Sequence, residues 1–154
     1  MPSFEDVPFE LKNYAAPKTM VVGVTDRRTG ADTLVILSGT VILPGPPGGQ
    51  GGGGAAGAAA ADRIRRDRVR FVLPQTPRVI TAAGQVRGMQ VVTALASIRH
   101  RGDGERTFAI DQSVIEWAND LRELRVTIDT ACQGADSTIN RVMYHAFVLA
   151  QTGG

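Results

Sequence analysis

Residues 121–132 read LRELRVTIDTAC, and the alternation in this stretch decides the fold. Leu124, Val126, Ile128, Thr130 and Cys132 fall on one side of an extended chain, and Arg125, Thr127, Asp129 and Ala131 on the other. Successive side chains of a strand point to opposite faces, so the first set belongs against a core and the second against water. Immediately upstream, VIEWANDLRELR (114–125) also carries apolar residues at three- and four-residue spacing, which leaves a helix as the alternative there. The strand reading places SVIEW (113–117) before a turn at AND (118–120).

Working outward, the same texture recurs. KTMVVGVT (18–25) and TLVILSGTVIL (33–43) are rich in Val, Ile, Leu and Thr, with the polar DRRTGAD (26–32) between them, which predicts a hairpin. VRFVLP (69–74), PRVITAA (77–83), MQVVTALASIRH (89–100) and RTFAID (106–111) read as further strands. The last, INRVMYHAFVLA (139–150), is apolar on both faces, which predicts a central strand covered on both sides. Many short strands with frequent turn signals predict an all-β fold, an antiparallel β-sandwich.

Two segments differ. Residues 1–17, with Pro2, Pro8 and Pro17 and no sustained period, read as an N-terminal arm. Residues 44–61, PGPPGGQGGGGAAGAAAA, are low in complexity and gain too little burial to offset chain entropy, so they read as a flexible linker. The organisation expected is therefore an arm (1–17) and one sandwich domain (18–152) interrupted by a Gly/Ala-rich loop at 44–61. After it, AAAADRIRRDRVR (58–70) has the residues to start a helical turn and reads as a solvated lead-in to a strand. Its five arginines between Arg63 and Arg70 are diluted by Asp62 and Asp67 and lack interleaved aromatics, so no nucleic-acid partner is expected.

The 154 residues fit one ordinary domain with a real core. Hydrophobic residues make up 43% and charged residues 21%, a globular composition, and the net charge is only +2. Acidic residues and prolines stand at the N-terminus where a secretory signal would be basic and then apolar. No run approaches the roughly 18 apolar residues of a membrane span. The expectation is a soluble product without a signal peptide.

Catalytic chemistry finds no constellation. The one cysteine, Cys132, has no histidine near it in sequence and sits in an apolar strand register, which predicts a buried packing role. His100 and His145 stand far apart in the chain, and His145 reads as a hydrogen-bonded core or interface histidine. No Cys or His pair has zinc spacing, and the Gly-rich run lacks the Gly-Lys-Ser/Thr ending of a phosphate loop. The expectation is a non-enzyme with no cofactor and no metal. In IRHRGDGER (98–106), Gly102 and Gly104 around Asp103 spell a tight reversal; the Arg101-Gly102-Asp103 triplet is also an adhesion tripeptide.

From Val69 to Ala150 the pattern resembles the H-type lectin domain. VRFVLPQTPRVI (69–80) looks like that family's opening strand, RTFAIDQSVI (106–115) like the strand that begins with a sugar-contacting Arg, and VTIDTACQGADSTINRVMYHAFVLA (126–150) like its Cys-bearing strand, loop and final strand. The chain departs from the family where Ala135 stands for the loop Trp, Asp136 for a His, Arg141 for an aromatic and Phe147 for the last-strand Trp. The resemblance implies an oligomeric (homotrimer or higher) sandwich binding galactose-type sugars at its loop end. Arg106 and Asp136 would contact sugar hydroxyls there, with Ser137 and Arg141 on the rim. A structural subunit of a viral or surface particle, its arm threading along neighbouring copies, is the alternative.

Overall fold

The computed structural model describes residues 18–26, 30–43, 64–73, 86–100, 104–118, 123–134 and 137–151. The arm 1–17, the segment 44–61, residues 77–83, the Arg101-Gly102-Asp103 triplet, Ala135 and Asp136 lie outside them. Among the described residues seven strands follow one another: β1 (Lys18–Asp26), β2 (Gly30–Ile42), β3 (Arg65–Val72), β4 (Val86–Arg99), β5 (Thr107–Ala118), β6 (Glu123–Gln133) and β7 (Thr138–Gln151). They form a four-stranded sheet in the order β1-β2-β7-β4 and a three-stranded sheet in the order β3-β6-β5. Every pairing is antiparallel. The chain is an all-β antiparallel sandwich, and no helix among the described residues is long and apolar enough to cross a membrane.

The alternation of 124–132 is realised in β6: Leu124, Val126, Ile128, Thr130 and Cys132 are all buried. Facing them from β7 are Val142, Tyr144, Ala146, Val148 and Ala150, with Val35, Leu37 and Val41 of β2 and Val69 and Phe71 of β3 completing the core. Each Val, Leu, Ile or Phe among them, taken fully out of water, contributes about 1.5–3 kcal/mol. The predicted hairpin is β1–β2, in register from Lys18 opposite Ser38 to Asp26 opposite Gly30. Residues 114–118 belong to β5, so the helical alternative is not what forms.

Four expectations need correction. RTFAID and SVIEW are one strand, β5, with a bulge at Asp111 absorbing the mismatch between Ile110 and Gln112. The arginine lead-in is itself strand: β3 begins at Arg65, because cross-strand pairing to β6 outweighs the helix preference of Arg. β7 is central, as its apolar pattern predicts, but among the described residues a second sheet covers only one of its faces. Arg141, Met143 and His145 are exposed on the other, beside the half-buried Phe147 and Leu149. His145 is accordingly not a core residue, although it is hydrogen-bonded as expected, its ring Nδ1 2.7 Å from the Ser38 hydroxyl on β2.

The tightest point of the core joins three strands. Gly39 on β2 stands opposite Tyr144 on β7, and a Cβ at Gly39 would fall 2.6 Å from the Tyr144 hydroxyl. The Tyr144 ring in turn lies 5.1 Å, centroid to centroid, from Phe71 of the other sheet, tilted by 51°. Replacing Gly39 by Ala forces the ring out of place, and overpacking of this kind costs about 1–3 kcal/mol. Chemical denaturation of Gly39→Ala should show that loss, with the far-UV spectrum unchanged.

Burial also pushes the Tyr144 hydroxyl up to about 12. Because the folded value lies above the unfolded one, the protonated phenol's contribution is fully present below pH 10. It is lost as pH rises through 12. Tyr144→Phe should flatten that alkaline decline in a series of denaturation curves; an unchanged decline would exclude Tyr144 as its source.

Candidate functional site

Two regions hold the polar residues of interest. The first is the end of the sandwich where β4 and β6 finish and β5 and β7 start, the place the lectin resemblance points to. Gly134 there has φ of +116°, a conformation open to glycine and strained for other residues. It lets the chain leave β6 tightly, and the missing side chain is filled by its neighbours. A Cβ at Gly134 would sit 2.8 Å from Arg106 Cγ, 2.9 Å from Ser137 Oγ and 3.2 Å from the Glu105 carbonyl.

The structure thus brings Arg106 and Ser137 together around Gly134. Ser137 is not a rim residue: it is 2% exposed. Its backbone N–H donates to the Gly134 carbonyl at 3.4 Å and its own carbonyl accepts from the Cys132 thiol at 3.4 Å. It buttresses the turn instead of facing outward. Arg106 is half-buried, and Arg141 is exposed on β7 in the other sheet. Burial raises the Cys132 thiol against the opposing pull of Arg65, so it stays protonated at neutral pH and packs as a small apolar group.

The second region is the outer face of β3-β6-β5. The register sets its residues in rows: Arg66 beside Ala131 and Ala109, Arg68 beside Asp129 and Gln112, Arg70 beside Thr127 and Val114, and Val72 beside Arg125 and Glu116. Three adjoining depressions run down this face. One of about 160 Å³ is lined by Ile64, Arg66, Thr107, Ala109, Asp111, Ala131, Cys132 and Gln133. The next, about 310 Å³, shares Arg66 and Asp111 and adds Gln112 and Asp129. The third, about 230 Å³, shares Gln112 and adds Arg68, Arg70, Val114, Glu116 and Thr127. Shared walls make them one trough, its head next to Arg106 in the chain.

The trough is built from held groups. Arg68 on β3 donates through Nε and Nη2 to the two carboxylate oxygens of Asp129 on β6, at 2.5 and 2.6 Å. This two-point pairing is the strong form of a charged hydrogen bond. Arg66 reaches Asp111 at 3.5 Å, and Arg125 donates to Glu123 at 2.9 Å. The bulge at Asp111 turns an extra carboxylate onto the strip beside Gln112. Cations alternate with anions across the strands, so the face offers fixed donors beside fixed acceptors instead of a field of one sign. Among the described residues no group of three or more His, Cys, Asp and Glu side chains is placed to hold a metal ion.

Sequence reasoning pointed to the loop end and Arg106 and did not reveal the trough. Its signal was present in the alternation RRDRVR of 65–70 against RVTIDT of 125–130, but it becomes a surface only once register is known. Compared with protein-family models, curated proteins and solved structures, the chain finds no match.

Gly134 is the residue that keeps the first region in shape. Gly134→Ala combines left-handed backbone strain with contacts below 3 Å, and should lower stability by about 1–3 kcal/mol. The Arg106 side chain should move with it, visible as changed amide shifts at 105–107 in a two-dimensional NMR spectrum.

Proposed function

We propose that the protein is a non-catalytic carbohydrate-binding module, lectin-like and acting as an oligomer, that holds a glycan in the trough on the outer face of β3-β6-β5. The observation that carries this reading is the row of Arg–carboxylate pairs with Gln112 and Thr127 between them. A sugar presents adjacent hydroxyls, each at once donor and acceptor, and a surface of alternating fixed donors and acceptors matches them. Guanidinium and carboxylate groups form the stronger class of hydrogen bond, and side chains already held by one another lose little entropy on binding. Ile64, Ala109 and Ala131 at its head supply apolar contact for ring carbons.

Spacing supports an extended ligand. Outward residues of one strand recur about every 6.7 Å, so the rows at Ala131, Asp129 and Thr127 span roughly 13 Å, enough for a short oligosaccharide and more than a single sugar. The resemblance to H-type lectins makes galactose-type glycans the first to test, with Arg106 contributing at the head of the trough.

The test is a glycan array probed with the intact chain, followed by titration of the best hit. Arg70→Ala and Gln112→Ala should each weaken binding tenfold or more, with the circular dichroism spectrum unchanged; Arg106→Ala should weaken it less. An array without a hit, or trough variants that bind as the native chain does, would refute the proposal. Loss confined to Arg106→Ala would move the ligand to the loop end.

A further inference from the structure

β4 and β5 end their respective sheets on the same side of the sandwich, where the Thr93 and Ser113 hydroxyls meet, and no described strand closes that side. The inward-facing large apolar residues of β2, β3, β6 and β7 are buried, whereas Met89, Val91 and Leu95 of β4 and Phe108, Ile110, Ile115 and Trp117 of β5 are only partly covered. The outward faces add Val92 at 48% exposure and Val114 at 37%. Both strands also leave one backbone edge unpaired with any described strand. Native sandwiches blunt such edges with charge. The edge strand β3 does so, with the Arg65–Asp67 ion pair at 3.2 Å on the same strand face as Val69 and Phe71. β4 has no charged residue from Gly88 to Ile98, an eleven-residue run.

Charge and register say what fits there. β4 contains Arg87 and Arg99 and no acid; β5 contains Asp111 and Glu116 and no base. The Thr93 and Ser113 hydroxyls meet at 2.5 Å across the two sheets, so these residues stand at the same height. A second copy rotated by a two-fold axis parallel to the strands brings its β4 against β5 of the first, and its β5 against β4. That axis allows no shift along the strands, so Thr93 of the partner subunit falls level with Ser113, and Val92 of the partner subunit beside Val114. The other two-fold arrangement, β4 against β4, would at full overlap set Arg99 opposite Val86 and so diagonal to Arg87 of the other copy, bringing like charges together at both ends.

We propose that the chain forms a two-fold dimer through reciprocal antiparallel β4–β5 pairing, joining the four-stranded sheet of each copy to the three-stranded sheet of the other. Val92 and Val114, each exposed in the single chain, become cross-strand neighbours. Each seam joins a strand whose charges are all basic to one whose charges are all acidic, an attraction along the seam and not between opposed ion pairs, since Glu116 falls level with Gln90. The dimer does not depend on the glycan reading.

Sedimentation of the intact chain should give a dimer, and Val92→Lys should give a monomer with an unchanged far-UV spectrum. Cross-strand neighbours lie within disulfide reach, so the double variant Val92→Cys/Val114→Cys should form a reducible covalent dimer on mild oxidation. Neither single variant should do so, since Cys132 is buried. A native chain that stays monomeric at high concentration overturns the proposal, as does a dimer that survives Val92→Lys. Covalent dimers from Val92→Cys alone would show β4–β4 pairing and overturn it equally.

Discussion

The ring of Tyr144 fills the space that Gly39 leaves on the neighbouring strand and, 5.1 Å away, meets Phe71 of the opposite sheet. One contact therefore sets how closely β2 and β7 pack their inner faces and where the second sheet lies over the first. β3 is held at this height by Phe71, and its pairing to β6 follows in register, Phe71 opposite Val126. Once β3 and β6 are in register, Arg68 stands beside Asp129 and the trough has its walls. The candidate site depends on an aromatic contact on the far side of the sheet that carries it.

Much of the fold was legible because period-two alternation is a local property. The inward set of β6, the β1–β2 hairpin and the central place of β7 could all be read from a few consecutive residues. What could not be read is what depends on neighbours distant in the chain. The arginines from 65 to 70 look like a solvated run until β6 pairs with them. The apolar outer face of β7 suggests cover on both sides, yet Met143 and Phe147 face away from the second sheet. Asp111 joins two apparent strands into one because a bulge leaves no mark in composition.

The candidate site was legible to the same degree. Arg106 and Ser137 do come together, through the backbone of Gly134, but loop texture does not reveal that Ser137 turns inward. The trough combines residues of three strands drawn from 64–70, 107–116 and 127–133, and no stretch of sequence contains more than one wall of it. Its Arg–carboxylate pairs do two jobs. They hold the strand register, and they present a polar surface whose groups are already oriented.

The order of strands in the larger sheet has a consequence for how the molecule comes into being. β2 pairs with β7 across more than 100 residues of chain, and β4 pairs with β7 as well. The strand in the middle of that sheet is thus the last of the seven to leave the ribosome. Until it emerges, the β1–β2 hairpin and β4 have no common partner, and the apolar inner face of each waits uncovered. Such long-range pairing makes for slow folding. The cell must keep these strands apart from other chains for as long as translation of the remaining residues takes.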